Sequence, residues 1–326
     1  MRSFTTGLIA GCAALAIAAS SALAQSKVEI IYSDTVPETD IRTTILRKEF
    51  GECLGAEFDF KSYHGATLFK QGTELTAMQR GNLDMANLAV FDFYNQVPQT
   101  AILGTAYLYR DYAHMRAVTG SEVLNDIWKQ IEEKAGVKVL SNPYIGTRHL
   151  NLKGEKKIMV PADLAGVKLR MPGGDAWQFL GQSIGANPVP MAYAEVYTGL
   201  QTGAIDGQDN PLPNVQNMKF YEVSNQIVLT SHLVGFDLLT VSARTWRAMS
   251  EAKRAQFQAA ADAAVGWSNA EHAKKEGELV AFFKAQGLDV YEPNLPAFRS
   301  FAQKKYLASD LAKAWPAGMV DKINAL

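Results

Sequence analysis

The chain has two cysteines, Cys12 and Cys53, and only Cys53 lies beyond the apolar N-terminal stretch. One cysteine makes no intrachain disulfide and no multi-cysteine metal site, so Cys53 is expected to pack as a small buried hydrophobe. An excess of one charge sign is also lacking: 32 Lys and Arg against 33 Asp and Glu leave a net charge of −1. That excludes the electrostatic footprint of a nucleic-acid or anionic-membrane binder. After residue 25 no segment reaches ~18 consecutive apolar residues, so no permanent membrane span is expected. Repeats and low-complexity tracts are missing as well. His64, His114, His149, His232 and His272 form no HExxH pair, and no phosphate-cradling glycine loop with its lysine occurs. No metal, nucleotide or other cofactor is therefore expected.

What is present begins at the N-terminus. Arg2, an apolar stretch and an Ala-x-Ala ending at Ala24 read as a secretory signal peptide over residues 1–24, cut before Gln25. Residues 8–12 also fit a lipoprotein box that would lipidate Cys12, but the apolar stretch before Cys12 is short and runs on past it. The mature chain is thus expected to be exported and soluble. A hydrophobic content of 48% in 326 residues supplies real cores for about two domains.

Residues 27–33 and 57–63 alternate as strands, with a helix over about 40–53 between them. Residues 71–89 read as a helix, a glycine stop at Gly81 and a third strand. Residues 121–136 form a helix with Val123, Leu124, Ile127 and Ile131 on one face and Gly136 at its end, and a strand follows. The pattern then restarts: strand 167–171, helix 175–181, helix 195–203, and a short strand that ends in a loop carrying Asn210. Strands alternating with helices imply an α/β architecture with a largely parallel sheet, here in two units. Residues 251–286 contain no proline and would span about 54 Å as one helix. A 150-residue domain is only about 38 Å across, so this helix is expected to brace both units, with Gly266 and Gly277 as bend points.

Residues 181–185 match G-x-S-x-G around Ser183, and a triad could be assembled with Asp209 and His232. The elbow needs a strand before the serine and a helix after it. Here the order is reversed, a helix before and a proline-held extended segment after. An exported α/β hydrolase using Ser183 is therefore the alternative reading, not the favoured one. The remaining chemistry suits an anion. Arg148 stands at a strand-to-loop transition, Arg170 closes a strand, Tyr193 lies on an extended segment, and Asn210 precedes Pro211. An arginine fork grips a carboxylate with two prongs, a phenol covers an apolar or ring portion, and an amide hydrogen-bonds.

Together these stretches resemble the solute-binding subunits of TRAP (tripartite ATP-independent periplasmic) transporters. The likeness rests on the G-x-K-x-R strand over 166–170 and on "NPVPM" with "EVYTGLQTGAIDG" over 187–207. It continues through Asp209-Asn210-Pro211 and "FYEV" with "LT.H" over 220–232, and more weakly through 63–89. The resemblance implies two α/β lobes around a ligand cleft, joined by crossing strands and a long bracing helix. Lobe I would comprise 25–147 with 236–275, and lobe II 148–235 with 276–326. It implies that Arg170 binds the ligand carboxylate, with Arg148, Tyr193 and Asn210 beside it and Lys70 and Asn87 near the pocket in the first lobe. Asp209 stands where the family has Glu, and Leu68-Phe69 where it has Leu-Gly. The implied protein is not an enzyme: a periplasmic monomer captures a small organic acid by closing its lobes. It then delivers the acid to ion-gradient-driven membrane subunits. A binder that feeds a receptor instead shares this pattern.

Overall fold

The computed structural model describes residues 27–326, so the expected signal peptide lies outside the described residues. Strand β1 (Val28–Ser33) pairs in parallel with β2 (Phe58–Tyr63), and β3 (Met85–Ala89) joins the other edge of β1. Between β1 and β2 the chain is helical from Ile41 to Leu54, and the Asp40 carboxylate caps its start by accepting from the Arg42 backbone N–H. Cys53 is half-buried against this apolar layer rather than enclosed.

Two long paths leave this layer. Strand β4 (Val137–Ser141) runs through Asn142 and Pro143 into β5 (Tyr144–Leu152), and β9 (Gln226–Ser242) returns beside them. The C-terminal half of β9 pairs with β3 and β4, and its N-terminal half with β5 and β10 (Asp289–Tyr291). Beyond β5 come β8 (Gly207–Pro211), β6 (Lys168–Met171) and β7 (Asn187–Pro190). The sheet is therefore mixed, where the alternation of strands and helices implied a largely parallel one. Parallel pairs survive at both ends, but β9 runs antiparallel to β3, β4 and β5, and β5 to β8. A return path between two lobes has to run opposite to the outward one, and antiparallel neighbours need no crossover helix.

The paths cross closely. Gly146 has φ +109°, and a Cβ there would stand 2.7 Å from Pro211 Cβ; one on Gly235 would stand 2.8 Å from the Gly146 carbonyl. Glycine at both positions lets β5, β8 and β9 lie against one another.

One unbroken helix, Glu251–Ala285, spans the molecule. Phe257, Ala261 and Val265 enter the apolar cluster of β1 and β2, whereas Leu279 and Phe283 enter that of Val196, Leu200 and Phe220. Its polar middle holds the crossing: Asn269 Oδ1 accepts from the Tyr144 N–H (2.7 Å) and Glu276 Oε1 from the Thr147 N–H (2.6 Å). Helix Leu295–Leu307 packs over helix Asp175–Ser183, and the last residues rest on Arg110 and His114, which bond the Asn324 and Ile323 carbonyls.

Candidate ligand-binding site

A cleft opens where β5, β6, β8 and β9 face the loops after β1 and β3, and side chains from both sheet halves line it. Arg148, Arg170, Tyr193, Asn210 and Asn87 all line it. Lys70 is exposed and lies outside the lining, but the next residue, Gln71, belongs to it.

Pairing places these side chains. Arg148 is in the body of β5 opposite Leu233 and Pro211, not at a strand-to-loop transition. Asn210 lies inside β8 opposite His149, not in a loop. Cross-strand pairing with β5 overrides the turn preference of an Asp-Asn-Pro sequence, and Pro211, which donates no hydrogen bond, sits at the strand's end. Arg170 is near the C-terminal end of β6, and β6 runs parallel to both neighbours. That end of a parallel group is where α/β sheets gather ligands.

The two arginines differ in what neutralises them. Arg148 grips Asp209 with two prongs, Nε to Oδ2 at 2.7 Å and Nη2 to Oδ1 at 3.0 Å, and its guanidinium lies 5.1 Å from the Trp177 ring. Burial pushes the Asp209 carboxyl up, but Arg148 and a hydrogen bond from His232 overcome this and hold it well below the usual range. Arg170 is 1% exposed, and among the described residues no carboxylate lies within ion-pair distance of it. Its Nε donates to the Met191 carbonyl at 2.8 Å and its Nη2 to Gln71 Oε1 at 2.7 Å. Burial lowers its pKa to about 10, with Asp209 opposing and Arg148 adding to the shift, so the group stays cationic at neutral pH. Two of its five N–H groups are thereby engaged and three remain for a ligand.

A third arginine, Arg42, also lines the cavity and was not expected there. It binds both oxygens of Asp40 (2.9 and 3.0 Å) and reaches Asp237 at 3.4 Å. The first-lobe wall is otherwise acidic. Burial pushes the Glu74 carboxyl up to about 7, and burial together with the Glu74 charge does the same to Asp92. Asp237 is raised as well, by burial first, with Arg42 opposing. Gln71 and Glu74 lie in the weakly matching stretch 63–89 but were not singled out there, and Asp92 and Asp237 belong to no motif.

The hydrolase reading fails on geometry. Ser183 is the last residue of helix Asp175–Ser183, and its buried hydroxyl donates to the Leu180 carbonyl at 2.7 Å. Asp209 and His232 do meet, at 3.1 Å, but Asp209 is committed to Arg148. All five histidines are buried, and among the described residues no cluster of three metal-ligating side chains occurs.

Comparison with known proteins gives the family and the fold. Residues 34–310 match the model of the family described as bacterial extracellular solute-binding protein, family 7. A sialic acid-binding periplasmic protein of Vibrio cholerae is 30% identical over 276 residues, 84% of each chain. A TRAP periplasmic solute-binding protein of Roseobacter denitrificans, solved with 3-deoxy-D-manno-oct-2-ulosonic acid, is 42% identical with a TM-score of 0.90. That match covers 92% of this chain and 99% of the other. A second protein of that organism, solved with L-galactonate, is 27% identical with a TM-score of 0.84, over 92% and 99% of the two chains.

Proposed function

The chain belongs to bacterial extracellular solute-binding protein family 7, and we propose that it is a periplasmic receptor that captures a hydroxylated organic acid for a TRAP transporter. The observation that carries this reading is Arg170, a buried guanidinium facing the cavity with no carboxylate partner among the described residues. A ligand carboxylate supplies the missing charge. Two of the three remaining N–H groups of Arg170 can hold its oxygens bidentately, a charge-assisted pair roughly twice as strong as a neutral one. Arg148, already neutralised by Asp209, turns its remaining N–H groups to a hydroxyl or keto oxygen next to the carboxylate. Tyr193 and Trp177 cover the apolar edges of the ligand, and Asn210 supplies an amide.

Gln71 ties the two walls together. Its Oε1 accepts from both Arg170 Nη2 (2.7 Å) and the Tyr193 N–H (2.9 Å). Closing the lobes over a bound acid strips water from the ion pair, and low dielectric strengthens it. The two lobes follow the sheet halves that meet at β9, and the mature chain acts as a monomer. Residues 1–24 serve as the signal peptide, and among the described residues no helix is long and apolar enough to cross a membrane. The closed receptor docks to membrane subunits, which draw on an ion gradient, so this chain has binding rather than catalysis to perform.

The test is a thermal-shift screen of the mature chain, unfolded and refolded to remove carried ligand. The panel holds 3-deoxy-D-manno-oct-2-ulosonic acid, sialic acid and L-galactonate. A ligand at 100 times its Kd stabilises by about 2.7 kcal/mol, several degrees in a chain of this size. Arg170→Ala is expected to fold and to lose the shift, since breaking a buried ion pair costs roughly 3–5 kcal/mol, or two to four decades of affinity. A shift that survives in Arg170→Ala refutes the assignment.

A further inference from the structure

We infer that this cavity selects an acid with a single carboxylate and an uncharged, hydroxyl-bearing far end, and that Glu74, Asp92 and Asp237 are the residues that select it. The inference rests on the role of Arg170 proposed above and extends it to the opposite wall. Charge makes the first argument. Arg42 is committed to Asp40 and Arg148 to Asp209, which leaves Arg170 as the one cavity arginine among the described residues without a carboxylate. One unmatched guanidinium takes one ligand carboxylate. A second would come to rest against Glu74, Asp92 and Asp237 with no uncommitted arginine to receive it. Like charges brought together in a desolvated site are strongly disfavoured.

Hydrogen-bond capacity makes the second argument. Once ionised, a carboxylate only accepts; Asp237 already takes hydrogen bonds from Arg42 and Asn87 and Asp92 one from the Ala89 N–H, and a ligand hydroxyl can donate to their remaining lone pairs and to Glu74. Two orphaned polar atoms of the same cavity agree. Asn87 donates from Nδ2 to Asp237 Oδ2 at 2.9 Å, but its buried Oδ1 accepts from nothing. Tyr193 is 3% exposed, and its hydroxyl has no hydrogen-bond partner, the Asn214 amide approaching without completing the bond. Leaving such groups unsatisfied is costly, and a hydroxyl, which both donates and accepts, satisfies either one. An aliphatic dicarboxylate offers neither atom a partner from its chain.

The deciding experiment is isothermal titration of the refolded mature chain at about pH 8, above the ionisation of Glu74 and Asp92. The probes are 3-deoxy-D-manno-oct-2-ulosonic acid, L-galactonate, and galactarate, which carries a carboxylate at both ends of the galactonate chain. At least one monocarboxylate is expected to bind, with galactarate weaker by about 100-fold or more. Glu74→Gln and Asp92→Asn should each narrow that gap by about tenfold, because each removes one repelling charge. The wild-type ratio decides by itself, so the test survives a variant that does not fold. Galactarate binding within about threefold of the better monocarboxylate, and lost in Arg170→Ala, overturns this inference while the receptor reading stands. If none of the three acids binds, the receptor reading falls and takes the inference with it.

Discussion

A buried guanidinium needs a counter-ion, and Arg148 and Arg170, on the strands either side of β8, differ in having one. Arg148 has Asp209 inside the fold, whereas Arg170 has no carboxylate partner among the described residues. The two therefore fail differently when truncated. Arg148→Ala leaves Asp209 buried and is expected to cost roughly 3–5 kcal/mol of stability. Arg170→Ala deprives only the Met191 carbonyl and Gln71 of a donor, a loss of about 1–3 kcal/mol. Chemical denaturation of the ligand-free proteins measures the difference, and equal losses would contradict it. The acidic wall makes a pH-dependent prediction. Glu74 and Asp92 ionise near 7 in the fold against about 4.3 and 3.9 unfolded. Raised carboxyl pKa values give stability that is full below the unfolded values and is lost as pH rises through the folded ones. Buried His149 and His272 have pKa values lowered to about 3 and about 4, so their contribution runs the other way and is lost as pH falls below the unfolded value of about 6.5. Both histidines remain in a Glu74→Gln, Asp92→Asn double variant and cancel in the comparison. Wild type minus variant stability should therefore fall by a few kcal/mol between about pH 5 and pH 8, the two carboxyls titrating as a coupled pair. A flat difference would show that neither carboxyl is perturbed.

Among the elements, the long helix and the crossing strands decide how the lobes can move. Helix Glu251–Ala285 runs unbroken through Gly266 and Gly277, both exposed, and a Cβ at either meets nothing within 4 Å. Neither glycine is needed for packing, and each weakens the helix through the freedom it has when unfolded. Gly266→Ala is expected to add about 0.5–1 kcal/mol to stability and to leave ligand affinity unchanged. Urea denaturation with and without ligand reads both quantities. A loss of affinity would show instead that the helix bends there on closure. The helices over 41–54, 74–80, 122–135, 175–183, 196–202 and 251–285 and strands β1 to β3 and β6 were legible from period and stop signals, whereas helices Tyr112–Thr119 and Leu295–Leu307 were not anticipated. Strand β9 carried no such signal. It is buried on both faces for most of its 17 residues, so alternation is absent, and its partners lie far away in sequence. For the same reason Arg148 and Asn210 looked like loop residues until cross-strand pairing placed them inside the sheet.

At the scale of the whole molecule, β4–β5, β9 and the long helix are the three connections on which two sheet halves are hung, and the cavity lies where they meet. The sequence by itself determined the α/β class, the long helix and the absence of metal and nucleotide motifs, which follow from composition and local period, and its family resemblance singled out Arg170, which lines the cavity. Tertiary structure alone decided the mixed sheet and the neutralisation of Arg148 by Asp209. It also decided the meeting of Arg42, Gln71, Glu74, Asp92 and Asp237 in one cavity. A side chain's charge is written in the sequence, but whether a counter-ion already stands beside it depends on contacts between distant residues, which only the folded chain makes.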